Sequence, residues 1–263
     1  MKRKREMTKT EPMDRNIVLR LSYDGTGFSG WQRQNGANSG KYRTVQEEIE
    51  KALEKMHGHP VPLTGSGRTD SGVHAAGQVA NFFTDIASIP EERFIPALNS
   101  MLPHDVRIHD AKSAPAEFHA RFSARSRTYR YFIHCGAAPL AHEMPYVWHL
   151  GRWPDLYRLS RMCTFLYGET DCTTFAASGD LSHSKSRYLY GAHFFPQGDR
   201  LVFEITANAF LWKMVRSITG TLIDLEKRGA DPDEFADILA SRDRSRAGQT
   251  APGTGLFLWN VRY

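Results

Sequence analysis

The amino-acid sequence predicts an α+β fold made of two ferredoxin-like halves, each with the element order β-α-β-β-α-β. Two observations carry this prediction. Strand-like and helix-like segments alternate in this order twice along the chain, and 41% of the 263 residues are hydrophobic, which is ample for a packed core. In such a unit an antiparallel sheet is backed by helices. If the two sheets join side by side, we expect a cleft between the halves.

The first half, residues 16–113, begins with the strand "NIVLRLSYD", whose side chains alternate between apolar and polar. Further strands are predicted over 61–65, 78–83 and 105–111. A helix is predicted from Thr44, because Thr44 and Glu47 form a capping box ahead of an apolar run. A second helix is predicted over 90–101, so that the half reads β-α-β-β-α-β.

The second half, residues 114–263, repeats this order more loosely. Strands are predicted over 127–135, 188–195, 200–207 and 256–263, and helices over 154–167, 209–227 and 232–241. The helix over 209–227 carries one apolar stripe, formed by Leu211, Met214, Val215, Ile218, Leu222 and Leu225. A basic segment, residues 1–15, precedes the first half. It contains no apolar run, and we interpret it as a flexible tail rather than a signal peptide or membrane span.

The chain carries a formal charge of +5 and has a pI near 9.1, with Lys and Arg spread along its length. This balance favours an anionic partner such as nucleic acid. Cys135, Cys163 and Cys172 are odd in number and form no Cys-x-x-Cys pair, which predicts a reducing, cytoplasmic compartment and no structural zinc. The sequence has no Walker motif, no Gly-x-Gly-x-x-Gly turn and no His-Glu-x-x-His helix. We therefore expect no metal and no small-molecule cofactor.

One glycine-rich segment, "GSGRTDSGVHA" at 65–75, surrounds a single carboxylate, Asp70. Arg68 lies two residues before it and His74 four residues after it. Basic neighbours favour an ionised carboxylate, which a nucleophile or a general base requires. The alternative is a structural turn, since Asp bonds its own backbone and Gly accepts positive φ. Taken alone, the segment is compatible with both interpretations.

Six sequence blocks are spread along the chain. They are "YDGTGFSGWQRQ" (23–34), "GSGRTDSGVHAAGQVANF" (65–82), "LNSMLPHDVRI" (98–108), "FHARFSARSRTYRY" (118–131), "NAFLWKMVRSITGTL" (208–222) and "GLFLWNVRY" (255–263). In this order they resemble the TruA family of tRNA pseudouridine synthases. The resemblance implies a pseudouridine synthase fold whose halves join around a central active-site cleft. It also implies a homodimer that binds tRNA and, without a cofactor, isomerises uridine at positions 38, 39 and 40 of the anticodon stem-loop.

The resemblance assigns roles to individual residues as well. Asp70 is the implied catalytic carboxylate, Arg216 pairs with it, and Tyr129 stacks on the target base. Arg68 is implied to contact tRNA and to help extrude the nucleotide. The family's other tRNA-contacting stretch corresponds to Phe118, His119, Ala120, Arg121 and Phe122. From the basic loop "SHSKSRY" we add two candidate RNA contacts, Lys185 and Arg187.

Structural alternatives accompany these roles. Tyr129 shares one strand face with Arg127 and Tyr131, where aromatic residues usually pack, and the alternative for Arg216 is an ordinary solvated arginine. The chemistry is an isomerisation that breaks the N1 glycosidic bond and rejoins the sugar through C5. Asp70 either attacks C1′ of the ribose or assists its deprotonation after attack elsewhere. Flipping the nucleotide out of the stem costs roughly a few kcal/mol, which contacts between basic residues and phosphate offset.

Three rival functions accompany this hypothesis: a synthase acting at other RNA positions, a non-catalytic tRNA-binding or folding protein, and an Asp-dependent glycoside hydrolase. The last needs a second carboxylate partnered with Asp70, and none is convincing. The chain also departs from the family pattern. Ser66 and Ser71 replace the usual alanines, "NGANSGKYR" lengthens the connection after Gln34, "LWKMVR" lacks the histidines often found before the arginine, and "APGTGL" varies the ending. These departures concern substrate detail rather than the reaction.

Overall fold

Strands and helices follow one another along the chain in nearly the predicted order. The structure is a computed structural model that describes residues 15–34 and 40–263. The first half contains β1 (Arg15–Tyr23), α1 (Val45–His57), β2 (Thr64–Gly65), β3 (His74–Thr84), α2 (Phe94–Met101) and β4 (Val106–Ala114). The second half contains β5 (Ser126–His134), β6 (Trp148–His149), α3 (Leu156–Cys163), β7 (Gly168–Asp171), β8 (Ser186–Gln197), β9 (Arg200–Ala207), α4 (Met214–Lys227), α5 (Pro232–Ala240) and β10 (Leu256–Arg262). Residues 1–14 of the predicted tail and 35–39 of the lengthened connection lie outside the described residues.

Within the described ranges the strands form one sheet, in the order β4-β1-β3-β10-β5-β9-β8-β7. In the first half, β4 pairs with β1, β1 with β3 and β3 with β2, all antiparallel. In the second half, β10 pairs with β5, β5 with β9 and β9 with β8, again antiparallel. Each half thus has its four ferredoxin-type strands in the order fourth, first, third, second. The halves join where β3 and β10 run parallel, with Phe257 opposite His74 and Leu258 opposite Ala75. The predicted fold class is therefore confirmed. The division into domains at residue 113 stays a prediction.

The predicted start of the long helix at residue 209 is wrong. α4 begins only at Met214, because Lys213 adopts φ 60° and ψ 7°, a left-handed conformation that interrupts a right-handed helix. Leu211 is buried in the core, as the stripe predicts, but it precedes the helix. Residues 208–213 thus form a loop that delivers Arg216 near the beginning of α4.

The predicted capping box at the start of α1 is also wrong, although the helix begins where expected. The Thr44 hydroxyl is buried and makes no hydrogen bond, and Thr44 caps the helix only through its backbone. The first amides of the helix are satisfied from another segment. The Val45 amide donates to the Gly30 carbonyl at 3.3 Å, and the Gln46 amide donates to the Trp31 carbonyl at 3.0 Å. A tertiary contact thus replaces the local cap.

Several other helix and strand boundaries differ from the predicted ones. The strand predicted over 61–65 shortens to β2, the helix predicted over 154–167 ends at Cys163, and β3 starts at His74 rather than at 78. The short strands β6 and β7 are not predicted at all. β6 exists because two of its residues pair with the end of β5, and a segment that short carries no periodicity to recognise.

Strand β5 divides its side chains between two faces of the sheet, as its alternating pattern predicts. Arg127, Tyr129 and Tyr131 are all buried, and the two tyrosines belong to the main core, which includes the apolar sides of the helices. Phe132 points to the other face, where it forms a small cluster with Val147 and Val202. Among the described residues, no helix is both long and apolar enough to cross a membrane.

Candidate active site

The loop that carries Asp70 connects β2 to β3 and contains a tight turn. The Val73 amide donates to the Asp70 carbonyl at 3.2 Å, and Gly72 has φ 74°, which only a residue without a side chain adopts freely. The Thr69 carbonyl accepts a hydrogen bond from the Trp31 amide at 3.1 Å. The turn interpretation and the chemical interpretation of this loop are therefore compatible, because the turn presents the Asp70 side chain.

Two glycines of the block at 23–34 allow its backbone to pack directly on this loop. A Cβ atom on Gly25 would lie 2.1 Å from the Val73 carbonyl oxygen, and one on Gly30 would lie 2.5 Å from the Thr69 carbonyl oxygen. Gly30 also has φ 94°, which disfavours any side chain. Two blocks that are distant in the sequence thus form one rigid support for Asp70.

Both carboxylate oxygens of Asp70 accept a hydrogen bond from the second half of the chain. Arg216 Nη1 donates to Oδ2 at 2.8 Å, and the indole Nε1 of Trp212 donates to Oδ1 at 2.8 Å. The side chains of Asp70 and Arg216 are 19% and 16% exposed, so the ion pair is partly shielded from water. Charge-assisted bonds of this kind stabilise and orient the ionised carboxylate.

The backbone around Ala251 fixes the position of Arg216. Arg216 Nε donates to the Ala251 carbonyl at 2.8 Å, and the Ala251 amide donates to the Arg216 carbonyl at 3.1 Å. The Nε atom thereby anchors the guanidinium to the backbone, while Nη1 is directed at Asp70. The ordinary solvated arginine considered from the sequence does not describe this side chain.

Tyr129 lies beside the carboxylate, on the buried face of β5. Burial raises the pKa of its phenol, and the negative charge of Asp70 raises it further, while Arg127 acts in the opposite direction. Its ring packs edge-on against Phe210, with the centroids 5.0 Å apart. No hydrogen bond to its hydroxyl comes from the residues that the structure describes. The site therefore places a protonated phenol beside the Asp70–Arg216 ion pair.

The geometry can be compared with known proteins. A family model described as tRNA pseudouridine synthase matches residues 21–123 and 162–263. The chain belongs to the tRNA pseudouridine synthase family. As a synthase of this family it is an isomerase that acts on uridine in tRNA, and the resemblance recognised in the sequence is confirmed.

Individual relatives agree with this assignment. The chain is 57% identical to tRNA pseudouridine synthase A of Treponema denticola over 249 residues, 95% of this chain and 93% of that one. It is 43% identical to tRNA pseudouridine synthase A of Bacillus subtilis over 245 residues, 92% and 97% of the two chains. Among solved structures it is similar to a chain in "Crystal Structure of a Cbf5-Nop10-Gar1 Complex", at a TM-score of 0.34 and 11% identity, covering 80% of this chain and 53% of that one. A similarity at this level carries no argument about the site.

Arg127 is a buried residue of the synthase to which the sequence assigned no role. Its guanidinium donates to four carbonyls: Ser66 at 2.9 Å, Arg121 at 2.5 Å, Ala124 at 3.4 Å and Asn208 at 2.7 Å. Burial lowers its pKa. Arg127 thus joins the Asp70 loop, the segment at 118–122 and the loop before α4. The available signal was a charged residue at an inward-facing position of a strand.

His74 does not serve Asp70 as its spacing suggests, and that part of the sequence interpretation is wrong. The Gly25 amide donates to Nδ1 at 2.9 Å, so Nε2 carries the proton and donates to the Pro145 carbonyl at 3.0 Å. Burial lowers the pKa of His74, and the nearby Asp24 carboxylate offsets only part of this effect. His74 is therefore a neutral side chain that joins the two halves of the synthase.

This neutral His74 predicts a loss of stability in mild acid. Its pKa is below 6.5 in the folded state, so when the pH falls below about 6.5 the unfolded chain binds a proton that the folded chain does not. The free energy of unfolding is expected to fall by up to about 1.4 kcal/mol per pH unit from this residue. Urea unfolding between pH 8 and 5.5 should show a shallower pH dependence in His74→Gln than in the wild type. The exposed His183, replaced by Gln, is the control, and equal slopes in wild type and His74→Gln would contradict the prediction.

The stretch expected to contact tRNA has an exposed side and an internal side. Phe122 is 75% exposed, and the Arg121 guanidinium lies 5.5 Å from the centre of its ring. Ala120 is fully buried; its amide donates to Asn81 and its carbonyl accepts from the Tyr263 hydroxyl. Phe118 and His119 are half-buried against neighbouring rings. Arg121 and Phe122 are therefore the members accessible to a ligand, while Ala120 shapes the backbone.

The other basic candidates also differ in accessibility. Arg68 is exposed and makes no hydrogen bond or ion pair with the described residues. Lys185 is engaged, since its ammonium bonds Asp180 Oδ1 at 2.6 Å and the Asp180 carbonyl at 2.8 Å. Arg187 is partly buried and donates to the carbonyls of its own loop. Lys185 and Arg187 thus have partners within their own loop, and Arg68 has none among the described residues; contact of all three with RNA stays a prediction.

The two serine departures leave the Asp70 loop intact. The Ser66 hydroxyl donates to Gln78 Oε1 at 2.7 Å, and Gln78 Nε2 in turn donates to the Gly67 carbonyl at 2.9 Å. The Ser71 hydroxyl donates to the Phe28 carbonyl at 3.2 Å. Each added hydroxyl therefore has a partner, so neither introduces an unsatisfied polar group.

Proposed function

We propose that this synthase converts uridines 38, 39 and 40 of the tRNA anticodon stem-loop to pseudouridine, with Asp70 as the catalytic carboxylate. The observation that supports the catalytic assignment is the Asp70–Arg216 ion pair, with an Oδ2 to Nη1 distance of 2.8 Å, next to the buried phenol of Tyr129. The positions in tRNA are proposed from the sequence resemblance to the TruA family.

The reaction balances without a co-reactant. The bond between N1 and C1′ breaks, the uracil turns, a bond forms between C5 and C1′, and the proton on C5 is lost while N1 gains one. Asp70 either attacks C1′ directly or assists the deprotonation of the ribose. In both routes Arg216 pairs with the carboxylate and holds its direction, and the partial shielding of the pair strengthens that interaction.

Tyr129 is proposed to stack on the uracil and to assist removal of the C5 proton. Its pKa is raised by burial, so in the free enzyme it is protonated and contributes no competing negative charge beside Asp70. When Asp70 loses its negative charge by bonding to the sugar, one cause of the raised pKa is removed, so the phenol gives up its proton more readily. It then passes that proton to N1 and accepts the one from C5. In this proposal the aromatic ring of Tyr129 binds the base, and its hydroxyl acts in turnover.

Two substitutions of Tyr129 separate these roles. Tyr129→Phe keeps the ring and loses the hydroxyl, so single-turnover rates are expected to fall about 100-fold or more with tRNA affinity within about threefold of wild type. Tyr129→Leu also loses the ring and is expected to be slower still. Tritium release gives the rates and filter binding the affinities. Tyr157→Phe, at a tyrosine that is 72% exposed, is the control, and equal losses of affinity and turnover would count against the proposed role.

RNA contact is proposed for the exposed Arg68, Arg121 and Phe122 around the site. A flipped nucleotide loses stacking worth roughly a few kcal/mol, and arginine contacts with phosphate together with a new stacking surface offset that loss. Phe122 offers such a surface, with Arg121 beside its ring. The formal charge of +5 is consistent with a polyanionic substrate.

The proposed function is tested by incubating the protein with tRNA that carries tritium at uridine C5. Release of tritium to water reports the exchange at C5, and primer extension after carbodiimide treatment locates each pseudouridine. We expect stops that map to positions 38, 39 and 40, and none in a transcript whose uridines there are replaced by cytidine. Absence of release would overturn the catalytic proposal, and stops elsewhere would overturn the positions.

We also propose that the synthase acts in the cytoplasm as a homodimer. Cys135, Cys163 and Cys172 are all unpaired and buried, and burial raises the pKa of Cys163 and of Cys172 to about 12, which fits a reducing compartment. The homodimer is proposed from the family resemblance alone. Light scattering should give twice the chain mass of 29.8 kDa, and the single mass would exclude the dimer.

A further inference from the structure

Trp212 contacts the proposed catalytic carboxylate, yet the resemblance assigns it no role. Its indole Nε1 donates to Asp70 Oδ1 at 2.8 Å. It lies in the segment "LWKMVR", where the chain departs from the family pattern by lacking the usual histidines. The indole therefore contacts the carboxylate directly.

The backbone of Trp212 is held on both sides. Its amide donates to Asp180 Oδ2 at 2.7 Å, and its carbonyl accepts from the Ala177 amide at 3.0 Å. Asp180 is itself fixed, because Oδ1 accepts from the Lys185 ammonium at 2.6 Å. The Asp180–Lys185 ion pair thus anchors the residue that touches Asp70.

The side chain of Trp212 is confined as well. A Cβ atom on Gly179 would lie 2.9 Å from Trp212 Cζ3, so the glycine leaves the space that the ring occupies. On the chain, Lys213 follows in the left-handed conformation at φ 60°, and its ammonium lies 5.0 Å from the centre of the indole. The break in the helix before Met214 and the close glycine together aim the indole N–H at the carboxylate.

The two donors to Asp70 differ in charge and in exposure. Arg216 is 16% exposed and carries a full positive charge, whereas Trp212 is 48% exposed and neutral. An indole N–H donates but does not give up its proton at any relevant pH. A neutral donor therefore fixes the direction of Oδ1 without neutralising the carboxylate, and it does so on the more open side of the pair.

We propose that Trp212 is a positioning residue for the isomerisation: its indole N–H orients Oδ1 of Asp70 toward the bound uridine, and the Asp180–Lys185 pair holds Trp212 in place. This inference rests on the proposed catalytic role of Asp70. Loss of the indole N–H is expected to slow the chemical step rather than to weaken tRNA binding, because this hydrogen bond is made to the reacting group and not to RNA.

Trp212→Phe and Trp212→His test the proposal. Trp212→Phe keeps an aromatic ring but loses the donor, and the single-turnover rate is expected to fall about 10- to 100-fold, as for a lost hydrogen bond to a charged group. The dissociation constant for tRNA should stay within about threefold. Trp212→His restores an N–H donor and is expected to recover the rate to within about fivefold of wild type. Trp153→Phe, at another half-exposed tryptophan, should match the wild type.

Tryptophan fluorescence provides a second readout on the protein without RNA. Introducing Asp70→Asn into the wild-type protein should change its tryptophan emission, because the indole of Trp212 loses its charged partner. Introducing Asp70→Asn into Trp212→Phe should leave the emission unchanged, because that indole is absent. A wild-type rate in Trp212→Phe, a loss confined to tRNA affinity, or failure of Trp212→His to recover the rate while its urea unfolding is unchanged would each overturn the proposal. Full activity of Asp70→Asn would instead overturn the proposed function on which it rests.

Discussion

Asp70→Asn is expected to lower the rate of tritium release from tRNA labelled at uridine C5 by at least about 1000-fold. The substitution keeps the size of the side chain but removes its charge, so the group no longer attacks a carbon or accepts a proton effectively. An amide also has only one oxygen. It therefore accepts from Arg216 or from Trp212, whereas the carboxylate accepts from both at 2.8 Å.

Binding separates this effect from damage to the fold. Filter binding of tRNA by Asp70→Asn is expected to stay within about threefold of wild type, because Asp70 is only 19% exposed and carries charge of the wrong sign for a phosphate contact. Asp110→Asn is the matched control, since Asp110 lies on β4 and pairs with Lys112. Its rate should equal that of the wild type. Wild-type turnover by Asp70→Asn would remove Asp70 from the mechanism.

Arg216→Met is the second substitution with a large expected effect. It leaves a partly shielded carboxylate without its cation and the Ala251 carbonyl without a donor. The single-turnover rate is expected to fall about 100- to 1000-fold, because electrostatic stabilisation at a reacting group contributes on this scale. Arg216→Lys restores the charge, but a single ammonium does not reproduce the fork that bonds Asp70 and Ala251 together. We expect the single-turnover rate of Arg216→Lys to be at least about tenfold higher than that of Arg216→Met and still below the wild-type rate.

A control on the same helix tests whether this loss is specific. Arg228 caps the end of α4 and pairs with Asp224 and Glu234 at the surface, so Arg228→Met should retain the wild-type rate. Urea unfolding of each variant shows how much of the change is stability. Equal rates for Arg216→Met and Arg216→Lys would contradict a charge-based role, and a wild-type rate in Arg216→Met would exclude any role in turnover.

Parts of this site were accessible from the sequence because their signals are local or ordered along the chain. The glycines around Asp70 predict a turn, and the structure contains one at Asp70–Val73. Alternation along β5 places Arg127, Tyr129 and Tyr131 on one face, and all three are buried. The order of strands and helices predicts two ferredoxin-like halves, and the sheet has that topology in each half. The catalytic role implied for Asp70 could be predicted only with the other five sequence blocks, because together they carry the resemblance to the family.

Other parts depended on contacts that no local pattern records. The capping box at Thr44 does not form, and the first two amides of α1 donate to the carbonyls of Gly30 and Trp31 instead. His74 is close to Asp70 in sequence, yet it bonds Gly25 and Pro145 instead. Lys185 belongs to a basic loop but is paired with Asp180. For the start of α1 and for His74 the partners are distant in sequence, whereas the partner of Lys185 lies five residues earlier in the chain.

By itself, the sequence determined the fold class and the family and led to Asp70 as the proposed catalytic carboxylate, because periodicity and the order of motif blocks are read without coordinates. Only the tertiary structure decided what touches that carboxylate. Asp70 and Arg216 are 146 residues apart and meet across the two halves, which join through the parallel pairing of β3 and β10. The left-handed Lys213 ends the preceding loop and lets Trp212 reach Oδ1. Such contacts depend on how whole elements pack, and short-range patterns in a chain do not encode that geometry.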